Sequence, residues 1–211
     1  MYQSIVVLLK FVQRNKLIFN EIVLGFKEFF FREEAEMVCI IAGFGGVGKT
    51  TLAKKYKNVL DLESTPFKYC FDNYAGADPE AMKGRGVAGK RPNPDFPGNY
   101  IAAIKYNMDK YDYILVWCHP EEILPYYDLN GIDYELFIPL REALDEYRQR
   151  FISRGNSMEY VNRVSSKEGY DRRLPQFEAT GKPIVFLGCG ETLESYLMGN
   201  RNYPPLKTAE S

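Results

Sequence analysis

This sequence predicts an α/β fold in three layers, with a mainly parallel, five-stranded sheet between helices and an N-terminal extension ahead of it. Two patterns and a length carry that prediction. From residue 37 onward, short apolar runs rich in Ile, Val, Leu and Phe alternate with amphipathic stretches, as strands joined by helical crossovers do. The first of these runs, Met-Val-Cys-Ile-Ile-Ala over 37–42, leads directly into a glycine-rich turn, Gly43-Phe-Gly-Gly-Val-Gly-Lys-Thr50. A chain of 211 residues is long enough for one such domain with a sizeable core.

Residues 1–36 form the predicted extension. Apolar runs at 5–9, 17–19, 22–24 and 29–31 are interrupted by Lys10, Arg14 and Lys16. None reaches the roughly 18 uninterrupted apolar residues of a spanning helix. No basic stretch precedes Ile5 and no small-residue cleavage pattern follows, so a secretory signal is not expected. The segment reads as a helix or hairpin packed on the core or a partner. It also reads as an appendage dispensable for phosphate binding, since a compact domain can begin at Met37. A membrane-surface role ranks behind these.

The domain itself is expected over 37–200. A helix should open near Gly48, and a second strand is predicted over 58–62. Residues 64–98 form a long insertion rich in Gly, Pro and charge, the kind of segment that is usually functional when it lies inside a compact domain. Tyr100, Ile101, Ile104 and Met108 mark one face of a following helix. The third and fourth strands are predicted over 111–118 and 132–138. A helix starting at Pro139 carries Leu140, Leu144, Tyr147 and Phe151 at helical spacing. An arginine-bearing segment, 150–175, has the look of a closing lid. The fifth strand is predicted over 183–188 and a last helix over 191–198, with 201–211 as a loose tail.

The glycine turn has a chemical reason. A triphosphate is a dense cluster of negative charge. Gly43, Gly45, Gly46 and Gly48 let the backbone turn tightly and aim successive N–H groups inward. Lys49 reaches toward the terminal phosphates, and Thr50 offers a hydroxyl to Mg²⁺. An apolar strand running into G-x-x-x-x-G-K-T is the phosphate-binding loop of nucleotide-hydrolysing or phosphoryl-transferring proteins. The expected nucleotide-binding set is Gly43, Gly45, Gly46, Val47, Gly48, Lys49, Thr50 and Thr51, with ATP or another NTP and Mg²⁺ as ligands. A second glycine cluster, 84–90, lacks a preceding strand and has Arg91 where Ser or Thr is needed, so it reads as a loop.

Ligands of an open parallel sheet collect at the carboxyl ends of its strands. Asp61 and Glu63 stand at such an end, and alternation would put both carboxylates on one side. Asp61 is the candidate metal ligand and catalytic carboxylate. Glu63 is a candidate acceptor contact, and a solvated turn is an equal reading for it. The third strand should end in a metal-binding Asp, but it runs Trp117-Cys118-His119-Pro-Glu121-Glu122 instead. His119 suits either a pocket position or a hydrogen-bonded strand end, and Glu121 could reach inward. Among the C-terminal arginines, Arg150, Arg154 and Arg163 are the candidates for stabilising charge on a moving phosphoryl group. The remaining arginines fit helix-surface ion pairs with Glu142, Asp145, Glu146 and Glu159.

Composition limits the alternatives. A net charge of −1 gives no global field for nucleic acid or an anionic membrane. Four cysteines without C-x-x-C spacing and one histidine argue against a zinc site and suit reduced thiols in the cytoplasm.

Together, these residues resemble the P-loop kinases of the nucleoside-monophosphate kinase type, within the P-loop NTPase superfamily, over residues 37–198. The resemblance rests on the 43–50 loop, the five strands interleaved with helices, the insertion after the second strand and the arginine segment before the last. It implies a P-loop NTPase fold and a substrate role for the insertion, including Arg85 and Arg91. It also implies lid roles for Arg150, Arg154 and Arg163. The expected function is Mg-ATP-dependent phosphoryl transfer to a small acceptor, a nucleotide or nucleoside. The alternative is an NTPase or switch module with no small acceptor.

Overall fold

A computed structural model describes residues 38–71 and 90–208 of the chain. Val38–Ser211 belong to one compact unit. The extension 1–36 lies outside the described residues, as do residues 72–89 with Arg85.

The elements run β1 (Cys39–Gly43), α1 (Lys49–Lys55), β2 (Val59–Asp61), α2 (Thr65–Lys68), β3 (Tyr69–Phe71) and β4 (Lys90–Pro92). They continue through α3 (Gly98–Asn107), β5 (Tyr113–Trp117), α4 (Leu124–Leu129) and β6 (Glu135–Pro139). The last are α5 (Leu144–Ser153), α6 (Met158–Ser165), α7 (Lys167–Glu178), β7 (Ile184–Leu187) and α8 (Leu193–Gly199).

Five strands form one sheet in the order β2-β5-β1-β6-β7, every pair parallel. β1 is central, and Ile40, Ile41 and Ala42 are buried in it. Strands covered on both faces need continuous apolar sequence, and that is why 37–42 was legible. The crossover from β1 to β2 moves one way along the sheet, and that from β6 to β7 moves the other way. Right-handed crossovers of opposite direction lie on opposite faces, which yields the three layers. Between them the core gathers Leu52, Ile104, Leu115, Tyr127, Phe137 and Tyr147.

Three local expectations need correction. β2 stops at Asp61, so Glu63 lies in the turn beyond it rather than in the strand. Pro139 ends β6, opposite Leu187 and past the pairing with β1 that stops at Phe137. Having no N–H to donate, proline fits that last position, and the helix starts only at Leu144 after a 3-10 turn over Arg141–Ala143. The tail, expected to be loose, is tied down through residue 208. Lys207 N–H donates to Asn58 Oδ1 (2.9 Å), and Asn58 Nδ2 donates to the Pro205 carbonyl (3.0 Å). The Tyr113 hydroxyl donates to the Pro204 carbonyl (2.5 Å). These contacts lie where β2 and β5 begin, at the opposite end of the strands from the glycine turn.

Within the insertion α2 comes first, and β3 pairs antiparallel with β4, with Cys70 opposite Arg91. Among the described residues, no helix is long and apolar enough to cross a membrane.

Candidate functional site

The glycine turn leaves the carboxyl end of β1 beside β6. The connections that follow these neighbouring strands run in opposite directions, which makes this the switch point of the sheet. Phe44 N–H donates to the Phe137 carbonyl (2.8 Å), and Leu193 N–H donates to the Val47 carbonyl (2.9 Å), so the turn is anchored at both flanks. Gly46 and Gly48 sit at φ 87° and 105°. L-residues with side chains rarely adopt that region, and a Cβ on Gly46 would also lie 3.1 Å from the Tyr147 ring. The Lys49 ammonium folds back over the turn and donates to the carbonyls of Gly43 (2.6 Å) and Phe44 (3.3 Å).

Thr50 follows in the first turn of α1. Its hydroxyl donates to Asp61 Oδ2 across 2.6 Å, which brings the end of β2 to the start of α1. The strand ends are held in place by Tyr100, fully buried on α3. Its hydroxyl donates to the Leu62 carbonyl (2.7 Å) and accepts from Trp117 N–H (3.1 Å). Burial pushes the Tyr100 phenol well above its ordinary pKa, so it stays a donor. Glu63 turns back locally. Its Oε1 accepts from the Thr65 hydroxyl (2.9 Å) and Thr65 N–H (3.4 Å), which braces the start of α2.

Among the described residues, no group of three or more His, Cys, Asp or Glu side chains is arranged to hold a metal. Thr50 and Asp61 supply a hydroxyl and one carboxylate. That pair fits Mg²⁺, which keeps water and phosphate oxygens in most of its positions, and it does not fit a metal needing a full protein cage.

Helices α5–α7 overhang the turn. A cleft of about 160 Å³ is lined by Gly46, Gly48, Thr51, Arg150, Arg154 and Thr192. Arg150 donates to the carbonyls of Gly46 (2.9 Å) and Glu191 (3.2 Å) and pairs with Glu146. It therefore ties α5 to the glycine turn and to the loop after β7. Arg154 reaches the same cleft, one helical turn on. Arg163 stands over the Tyr160 ring at 5.6 Å on α6.

Two residues of the 150–175 segment that sequence reasoning did not make candidates also meet the turn. Arg173, half-buried on α7, donates to the carbonyls of Gly169 (3.0 Å) and Val164 (2.9 Å), and its guanidinium lies 5.5 Å from the Phe44 ring. Burial lowers its pKa, since it opposes the charge there. Tyr160 stands over Gly45: a Cβ built on that glycine would lie 3.6 Å from the Tyr160 hydroxyl. No short-range signal marks either residue, because each meets the turn from more than a hundred positions away.

At the end of β5, Cys118 is buried, and burial pushes its thiol up to about 11 against the nearby charges of Lys49 and Arg173. His119 takes the strand-end role: its Nδ1 accepts from Glu122 N–H (3.3 Å). Burial lowers its pKa, partly offset by Glu122. Glu121 does not reach inward. It is exposed and accepts from Gln176 Nε2 (2.9 Å). Lys68 pairs with Glu122 and lies 4.5 Å over the Trp117 ring, joining α2 to this strand end. Arg91 is exposed on β4.

No model of a known protein family matches this chain, and no curated protein matches it.

Proposed function

We propose that residues 43–51 hold the triphosphate of ATP or another NTP with Mg²⁺, and that the protein transfers the terminal phosphoryl group to a small acceptor, a nucleotide or nucleoside. One observation carries this reading: the Thr50 hydroxyl and the Asp61 carboxylate meet at 2.6 Å beside the turn that Lys49 spans.

Lys49 holds two neutral carbonyls. A phosphate oxygen in their place gives a charge-assisted bond, which is shorter and roughly twice as strong. Asp61 accepts from Thr50 and so fixes the direction of that hydroxyl at the metal position. Thr50 and Asp61 would hold Mg²⁺, which would supply positive charge against the charge developing on the phosphate oxygens. Arg154 and Arg163 bring cationic charge from the lid toward the same turn. The protein's share of catalysis is positioning and electrostatics, with no covalent step on its own side chains. The insertion that begins at α2 receives the acceptor, next to the strand ends where Asp61 and Trp117 emerge. The cysteines are thiols, which suits a reducing compartment such as the cytoplasm.

The test uses purified protein, Mg²⁺ and ATP labelled in the γ-phosphate, with nucleosides and mononucleotides as acceptors. Label appearing in an acceptor supports the reading. Release of inorganic phosphate at a rate no acceptor changes supports the NTPase or switch alternative instead. No consumption of any nucleotide overturns both.

A further inference from the structure

We infer that the Tyr160 hydroxyl is a hydrogen-bond donor to the phosphoryl group in transit, placed there by the lid. This rests on the phosphoryl-transfer reading and adds to it a contacting residue that is not an arginine.

The position is specific. Gly45 lies in the middle of the turn, and the space above its Cα faces the Tyr160 hydroxyl at 3.6 Å from an ideal Cβ. The Tyr160 ring is held from behind by Phe151, edge to face, with centroids 5.6 Å apart. The same Phe151 ring lies 3.3 Å from that Gly45 Cβ position. The phenol is thus fixed over the turn by packing within the α5–α6 pair and does not depend on ligand for its place. Charge reaches it from both halves of the site: the Arg163 guanidinium stands 5.6 Å over its ring, and Arg154 and Glu63 also act on it electrostatically. Burial keeps the phenol neutral, so it remains a donor. A neutral donor held over the glycine turn beside Arg163 suits an oxygen whose charge grows during transfer. Only the hydroxyl is needed for this. The proton stays on Tyr160, and no bond to it is made or broken.

The experiment compares wild type with Tyr160→Phe, which keeps the ring on Phe151 and removes one oxygen. Binding of Mg-ADP, and of Mg-ADP with aluminium fluoride as a mimic of the transferring group, is measured by calorimetry alongside thermal melting. The inference expects ADP affinity and melting temperature to stay unchanged in the variant. It expects affinity for the aluminium fluoride complex to fall about 10- to 100-fold, the worth of one hydrogen bond to a charged group. Equal affinity of both proteins for the fluoride complex overturns the inference while leaving nucleotide binding intact. An equal loss for ADP and for the complex also overturns it, because the hydroxyl would then be shaping the turn. Failure of the wild type to bind ADP at all overturns the underlying reading as well.

Discussion

The Thr50 hydroxyl donates to Asp61 Oδ2 across 2.6 Å, joining two residues eleven positions apart at the mouth of the glycine turn. Replacing Asp61 with Asn keeps the shape and removes the charge. A residue that orients a metal-binding hydroxyl, or metal water, typically alters metal affinity by about 10- to 100-fold when lost. Asp61→Asn should therefore raise the Mg²⁺ concentration for half-maximal turnover by that factor, read from a Mg²⁺ titration at saturating ATP. Thr50→Ser should keep most activity, and Thr50→Val should lose it.

The two left-handed glycines make a graded pair. Gly48→Ala meets open space, with Thr192 Cβ at 4.0 Å, so only backbone strain opposes it, about 1 kcal/mol. Gly46→Ala adds a 3.1 Å contact with Tyr147 to the same strain, so it should cost roughly 2 kcal/mol or more. Urea unfolding of the two variants gives the order. Equal costs would mean that Tyr147 moves aside freely.

Tyr100→Phe removes a hydroxyl that serves Leu62 and Trp117 together. Leaving buried backbone groups without that partner should cost about 2 kcal/mol or more in urea unfolding. Because Asp61 precedes Leu62, the same variant should also raise the Mg²⁺ concentration for half-maximal turnover. A stability loss with unchanged Mg²⁺ response would confine Tyr100 to the core.

At the amino ends of the strands, Asp112 makes stability depend on acid. Burial opposes ionisation of Asp112, but hydrogen bonds from Lys207 and Asn58 and the Lys207 charge outweigh it and hold the carboxyl below its usual range. A depressed folded pKa adds stability above the unfolded value and loses it as pH falls through the folded one. The contribution should therefore be full near neutrality and decline below about pH 4, where unfolded Asp titrates. Asp112→Asn should be less stable than wild type at pH 7, and the gap should narrow toward pH 3. Truncation after Asn200 should reduce the same pH-dependent part, since it removes Lys207 and leaves the hydrogen bond from Asn58.

What could be read from the sequence was what is local. Gly43 to Thr50 is contiguous, and its chemistry dictates its own spacing. The strands 39–43 and 113–117 are buried on both faces and so appear as apolar runs. Asp61 was legible because a strand end is a position in the chain as well as in space. Glu63 was legible only as one of two readings, because its place in the turn depends on β2 stopping two residues earlier and on Thr65 meeting its carboxylate. The tail from Asn200 reads as loose from its Asn, Pro and Lys content, yet Asn58, 149 positions from Lys207, holds it by side-chain bonds that leave no periodic trace. Tyr160, Arg173 and Tyr100 likewise act through distant partners. Helix α4 was hidden by its brevity, although Pro125 in its first turn is a usual starting residue.

Titration of Mg-ATP, Mg-ADP and AMP into the full chain, in wild-type and Lys49→Ala forms, decides whether the 43–51 turn grips a polyphosphate. Wild type should bind the triphosphate most tightly and AMP least. Lys49→Ala should fold with an unchanged melting temperature and lose triphosphate affinity by a factor on the order of tenfold or more, as expected for a charge-assisted contact. Equal triphosphate binding by the two proteins, or none by the wild type, would contradict it.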